Sequence, residues 1–159
     1  MRYAQDYHVL PVLALTSVTA TATKTQWVNA GQNHWVDFHV MLGTMEGDSV
    51  TITVEECTAN NTATASAAEV AVPFCYRKCA AIASDTFGAL TTNDSGGLEV
   101  DTDEANLTII VSVDPASLDD GYNYVRVVLS ESGDATACVK GVNAILYPRY
   151  AQAVPPSST

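Results

Sequence analysis

Three groups of residues have types that could do chemistry. The first is "GDSV", Gly47 to Val50, which has the local form of a serine nucleophile block. Such a serine needs a strand-to-helix turn that exposes its hydroxyl and a downstream Asp and His to take its proton. An alternating strand pattern follows Ser49 at once, and His8, His34 and His39 all precede it, so the block reads as a turn. The second group is those three histidines with Cys57, Cys75, Cys79 and Cys138, the residue types that bind zinc. None of the histidines falls at a zinc-ligand spacing, and His34 and His39 point to opposite faces of one extended stretch. The third is "EVDTDEAN", where Asp101, Asp103 and Glu104 offer the oxygens that calcium prefers. It lacks the twelve-residue calcium loop pattern and reads as a solvated acidic turn. There is no glycine-rich phosphate loop, no basic aromatic strip and no nucleophile with its base. The expectation is a protein that is not an enzyme and has no cofactor or metal.

The most patterned segment is "SLDDGYNYVRVVLS", Ser117 to Ser130. Leu118, Gly121 and Tyr124 have the L-x-x-G-x-x-Y spacing that resembles the tyrosine corner of fibronectin type III-like sandwiches. In that family the positions two and four past the tyrosine face the core, and here the first of them is Arg126. The opposite phase buries Val125, Val127 and Leu129 and leaves Tyr122, Tyr124 and Arg126 on the outer face, the better apolar set. The segment reads as a scaffold corner whose outer face carries a tyrosine and arginine ladder.

The elements around these residues are strands. Period-two alternation recurs along the chain while helical periodicity is nearly absent, which predicts an all-β domain, a two-sheet antiparallel sandwich or jelly roll with extended terminal arms. In "HWVDFHVML" Val36, Phe38, Val40 and Leu42 share one face and Trp35, Asp37 and His39 the other. A turn at Glu46 to Asp48 leads to Val50, Ile52 and Val54, again on one face, and the two strands are expected to form a hairpin. Further strands are expected at "VPFCYRK", "DTFGAL", "NLTIIVSV", "YNYVRVVLS" and "ATACVKGVNAILY", separated by "TTNDSGG", "DPASLDDG" and "ESGD". "TANNTATASAAEV" is small and polar and reads as a long surface loop. The tail "PRYAQAVPPSST" holds three of the six prolines. The divisions expected are an N-terminal strand or arm over 1–15, a sandwich over 16–147 and a Pro/Ser-rich arm over 148–159.

Bulk properties narrow the partners. A chain of 159 residues suits one domain, which can bury about 70% of its extended surface without staples. With 18 acidic against 7 basic residues the formal charge is −11, which repels phosphate backbones and anionic lipid, so neither nucleic acid nor membrane is an expected partner. The N-terminus imitates an export signal, but Asp6 and His8 stand where positive charge belongs and Pro11 interrupts the apolar run, so it is read as mature structure. The cysteines are too few and too irregular to form a disulfide framework, and reduced thiols are expected.

An acidic, Thr/Ala/Val-rich sandwich that opens "MRYAQDYHVLPVL" and closes "AILYPRYAQAVPPSST" resembles the small head decoration, or cement, proteins of tailed bacteriophages. That resemblance implies a structural protein made in the host cytoplasm. It would sit on the outer surface of an icosahedral capsid, as a trimer, and bridge subunits of the major capsid protein. The arms are then the natural contacts: Arg2, Tyr3 and Tyr7 at one end, and Tyr147, Pro148, Arg149, Tyr150, Pro155 and Pro156 at the other. Tyrosine and arginine supply anchors, and the paired prolines pre-set an extended path. Two alternatives are a tail or neck accessory protein and a secreted carbohydrate-binding sandwich that stacks sugars on Trp27 and Trp35.

Overall fold

The computed structural model describes residues 7–18, 22–45, 49–60, 69–81, 84–101, 104, 106–132 and 138–149. The described residues form twelve strands: β1 (His8–Val18), β2 (Ala22–Lys24), β3 (Val28–Asn29), β4 (Asn33–Leu42), β5 (Val50–Cys57), β6 (Val70–Val72), β7 (Phe74–Lys78), β8 (Thr91–Asn93), β9 (Leu98–Val100), β10 (Thr108–Val113), β11 (Tyr124–Glu131) and β12 (Cys138–Pro148). One antiparallel sheet has the order β1-β12-β4-β10-β7-β8 and the other β2-β11-β5-β6. Strand β3 continues the β2 edge along β11, and β9 continues the β6 edge along β5. The chain crosses between sheets at nearly every connection, and β1-β12-β4-β10 facing β2/β3-β11-β5-β6/β9 is the strand order of a jelly roll. The β7–β8 hairpin extends the first sheet beyond that order.

The core follows from alternation. Val36, Phe38 and Val40 on β4, Ile52 and Val54 on β5, Ile109, Val111 and Val113 on β10, and Val125, Val127 and Leu129 on β11 are all fully buried and belong to one cluster. The phase expected for β11 is the one observed. The hairpin expected between β4 and β5 is not. Strand β4 pairs with β10 and β12, whereas β5 pairs with β6, β9 and β11. Each has a continuous apolar face, and those faces bury most surface when stacked across the sandwich rather than laid side by side.

Two further expectations are corrected. Residues 85–90 do not form a strand and contribute one isolated bridge, Cys79 to Phe87, because Gly88 and Ala89 bring almost no side chain to a sheet face. Conversely the segment read as the "TTNDSGG" turn starts with β8, and β9 follows it directly. Leu98 and Val100 alternate across Glu99 into the core, so only residues 94–97 turn, with the Gly96 N–H donating to Asp94 Oδ1 at 2.8 Å. Gly97 has φ +93°, and a Cβ there would sit 2.6 Å from Thr53 Cγ2. Only glycine lets β9 lie this closely on β5. The turn expected at Glu46 to Asp48 lies outside the described residues, as does 61–68 of the expected loop.

The topology sorts the connections into two ends. Tyr7, Pro148, the 30–32 turn, residues 58–60 and the 114–123 segment share one end, and 43–45, 101, 104, 106–107 and 132 share the other. Among the described residues no helix is long and apolar enough to cross a membrane.

Candidate functional site

The end of the roll that holds Tyr7 and Arg149 is the candidate site. Antiparallel pairing of His8 with Leu146 brings the first described residue beside the last strand. The Tyr7 and Tyr147 rings meet edge to face with centroids 4.7 Å apart. Below them the Tyr147 hydroxyl donates to Asp37 Oδ2 at 2.9 Å and the Ser112 hydroxyl donates to Asp37 Oδ1 at 2.6 Å. Both carboxylate oxygens of Asp37 are thus held by hydroxyls from the two strands flanking β4, so this acid ties three strands together. After a register shift Pro148 stands opposite Asn33. The Arg149 N–H then donates to Gln32 O, and its Nε to Asn33 O, each at 3.0 Å.

Of the residues expected to contact a partner, Tyr7, Tyr147, Pro148 and Arg149 therefore gather at one corner, where the first, second and fourth also have contacts within their own subunit. Arg2, Tyr3, Tyr150, Pro155 and Pro156 lie outside the described residues.

Beside the corner is a cavity of about 260 Å³, lined by Trp35, Pro73, Phe74, Cys75, Thr92, Ser112, Asp114 and Ser117. Its walls come from β4, β7, β8 and β10 and the 3-10 turn Pro115–Ser117. No sequence motif marks it, because only the sheet order brings these segments together. Asp114 is the N-cap of that turn and accepts from the Ala116 N–H at 2.9 Å, so its carboxylate serves the backbone. An apolar hollow just below the usual size for small-ligand sites suits one or two inserted side chains.

The remaining polar groups explain the scaffold. Arg126 was expected to stand exposed on an outer ladder. It does lie on the outer face but is 7% exposed, because the Trp27 ring covers its guanidinium at 4.2 Å. Its Nε and Nη2 donate to Glu55 Oε2 at 2.8 and 2.7 Å, and Nη2 lies 2.7 Å from Glu69 Oε1. The hydrogen bond from Lys24 is the main reason that the Glu69 carboxyl is held below its ordinary range. Glu56 is 1% exposed and accepts from the Asp119 N–H at 3.1 Å, anchoring the acidic turn to β5. Burial pushes its carboxyl above the ordinary range. His39, half-buried, has its imidazole pushed down by burial, against the pull of Asp37.

No group of three His, Cys, Asp or Glu residues that could hold a metal is found among the described residues. Glu104 of the acidic segment pairs with Lys78, and Asp103 lies outside the described residues. No disulfide joins Cys57, Cys75, Cys79 and Cys138. Trp27 is 3% exposed, stacked against Arg126, and cannot present its ring to a sugar; Trp35 lines the cavity.

No protein-family model and no curated protein matches the chain. Among solved structures, 90% of the chain aligns with 40% of a chain in the structure of infectious bursal disease virus, Gt strain, at a TM-score of 0.26 and 14% identity. A likeness of that size carries no argument about role.

Proposed function

We propose that this chain is a structural, non-catalytic virion protein that binds the outside of an icosahedral phage capsid and bridges its subunits. The observation that carries the proposal is the convergence at one end of the roll. The Tyr7–Tyr147 pair, Pro148, Arg149 and an apolar hollow meet there. A body anchored at one pole leaves the rest of its surface to solvent, which suits a molecule standing on a shell. Its partners are the major capsid protein and copies of itself, as a trimer, and its place is the outer capsid surface after synthesis in the host cytoplasm.

Three physical points support this reading. Jelly rolls recur in viral capsid and lectin domains, an analogy of fold and no more. A ligand that binds only the assembled shell stabilises it by mass action, and many copies with modest interfaces reinforce one another. The charge of −11 keeps the protein from adhering to packaged DNA.

The test is to mix the full chain with expanded capsids that lack their decoration, then measure co-sedimentation and the capsid melting temperature. Binding that raises the melting temperature, with cross-links to the major capsid protein, is expected. Removal of 150–159 should weaken attachment while leaving the domain's own unfolding unchanged. Cross-links to tail or neck proteins instead would overturn the assignment to the capsid, and undiminished occupancy after truncation would overturn the role of the tail.

A further inference from the structure

Two buried charged groups without hydrogen-bond partners lie at the opposite end of the roll. Glu131 closes β11 and Lys140 lies near the start of β12, on facing sheets. Each stands at a core-facing position of its strand, Glu131 after Val125, Val127 and Leu129, and Lys140 before Val142, Ala144 and Leu146. The side chains are 1% and 0% exposed and touch each other. Their contact lacks hydrogen-bond geometry, and neither the Glu131 oxygens nor Lys140 Nζ has a hydrogen-bond partner.

A buried ion pair offsets its desolvation only when good geometry and further hydrogen bonds satisfy the remaining lone pairs and protons. The Arg126 network meets that condition with two carboxylates and an aromatic face. Lys140 and Glu131 do not. An amide in their place would carry no charge, and its burial would cost far less than that of two ions.

We propose that Lys140 Nζ and Glu131 Cδ are joined by an intramolecular isopeptide bond that clamps the two sheets together. Proton transfer from the ammonium to the carboxylate gives a neutral amine and a carboxylic acid. The amine nitrogen attacks Cδ and forms the C–N bond of a tetrahedral adduct, a proton passes from the nitrogen to one hydroxyl, and that C–O bond breaks as the adduct collapses, so that water leaves. No electrons are exchanged and no co-reactant is needed. Holding the amine against the carbon converts a bimolecular condensation into an intramolecular one, and the site's isolation from solvent opposes hydrolysis. Cys138, the neighbouring titratable group on β12, has its thiol pushed up by burial, so it stays protonated and does not compete as a nucleophile.

The experiment is intact-mass spectrometry of the folded full chain after denaturation with reductant, followed by peptide mapping. The expected result is a mass one water below that of the sequence and a branched peptide joining the segments that carry Glu131 and Lys140. Lys140→Arg, which keeps the charge but not the primary amine, should have the full sequence mass. A wild-type chain at full mass, or a water loss that maps elsewhere while Glu131 and Lys140 appear in linear peptides, would overturn the proposal. Neither outcome depends on whether the protein binds capsids.

Discussion

Arg126 decides whether the Ser117–Ser130 segment is scaffold or working surface, and Arg126→Ala is the perturbation that separates the two. The guanidinium makes two hydrogen bonds of 2.8 and 2.7 Å to Glu55 and a 2.7 Å contact to Glu69. Charge-assisted bonds of this kind contribute about 1.5–3 kcal/mol each. The Glu55 and Glu69 side chains are 18% and 26% exposed, so water recovers part of what they lose, and about 2 kcal/mol for the set is reasonable. The desolvated contact with the Trp27 ring adds about 1–2 kcal/mol, and loss of the packed alkyl stem about 1 kcal/mol. The total, about 4–5 kcal/mol, falls within the range for breaking a buried pair by removing one partner. In a domain of this size it corresponds to a Tm fall of roughly 10–15 °C. Urea and thermal unfolding followed by circular dichroism measure it. Combining Arg126→Met with Glu55→Gln and Glu69→Gln, which removes both carboxylates left unpaired by the loss of Arg126, leaves only the solvent-exposed Lys24 ammonium charged and keeps an apolar stem against Trp27, should recover more than half of the loss. A cost for Arg126→Ala under about 1 kcal/mol would refute the reasoning. So would a variant of unchanged stability that no longer attaches to capsids, since that would make the outer face a working surface.

Other outcomes follow from single contacts. Tyr147→Phe removes a donor to the Asp37 carboxylate and should cost about 1–2 kcal/mol in urea unfolding while leaving the Tyr7 ring contact in place. Glu56 has a folded-state pKa raised by burial, so the stability it contributes is complete below its unfolded pKa and is lost as pH rises through the folded value. Glu56→Gln, whose amide oxygen can still accept from the Asp119 N–H, should remove that slope and be at least as stable as the parent at neutral pH; a pH series of urea midpoints checks this. Glu69 has the opposite sign: its pKa is depressed chiefly by the Lys24 hydrogen bond, so its contribution is present above the unfolded pKa and lost as pH falls through the folded one. Glu69→Gln should flatten the acid limb of the same series.

Alternation makes the inward set of a strand legible, and here it gave Val36, Phe38 and Val40, Val50, Ile52 and Val54, and Val125, Val127 and Leu129 correctly. It says nothing about which strand lies alongside, since two strands with apolar faces can pair or can stack. That is why the β4–β5 hairpin was expected where a crossing between sheets is found. The cavity was illegible for a related reason, because its walls are assembled from four strands distant in sequence. Trp27 over Arg126 was missed because a tryptophan next to a two-residue strand leaves no periodic trace.

The buried pair is different, because its signal was present in the alternation itself. Counting in twos through "YVRVVLSE" and "CVKGVNAIL" puts Glu131 and Lys140 on the core-facing side of strands consecutive in sequence. A charged residue at an inward position usually argues against the phase that places it there. Here the phase is fixed by three apolar residues on each strand, and opposite charges occupy the inward positions near the end of β11 and the start of β12. Such a pair is buried at the same point on facing sheets, which costs stability if it remains ionic. The same argument makes the Lys140→Arg comparison informative twice over: if the amide forms, the variant loses a covalent clamp and should unfold faster than the parent as well as keeping its full mass. Equal unfolding rates, with each chain at its own full sequence mass, would mean that the two sheets are held at that end without a covalent clamp.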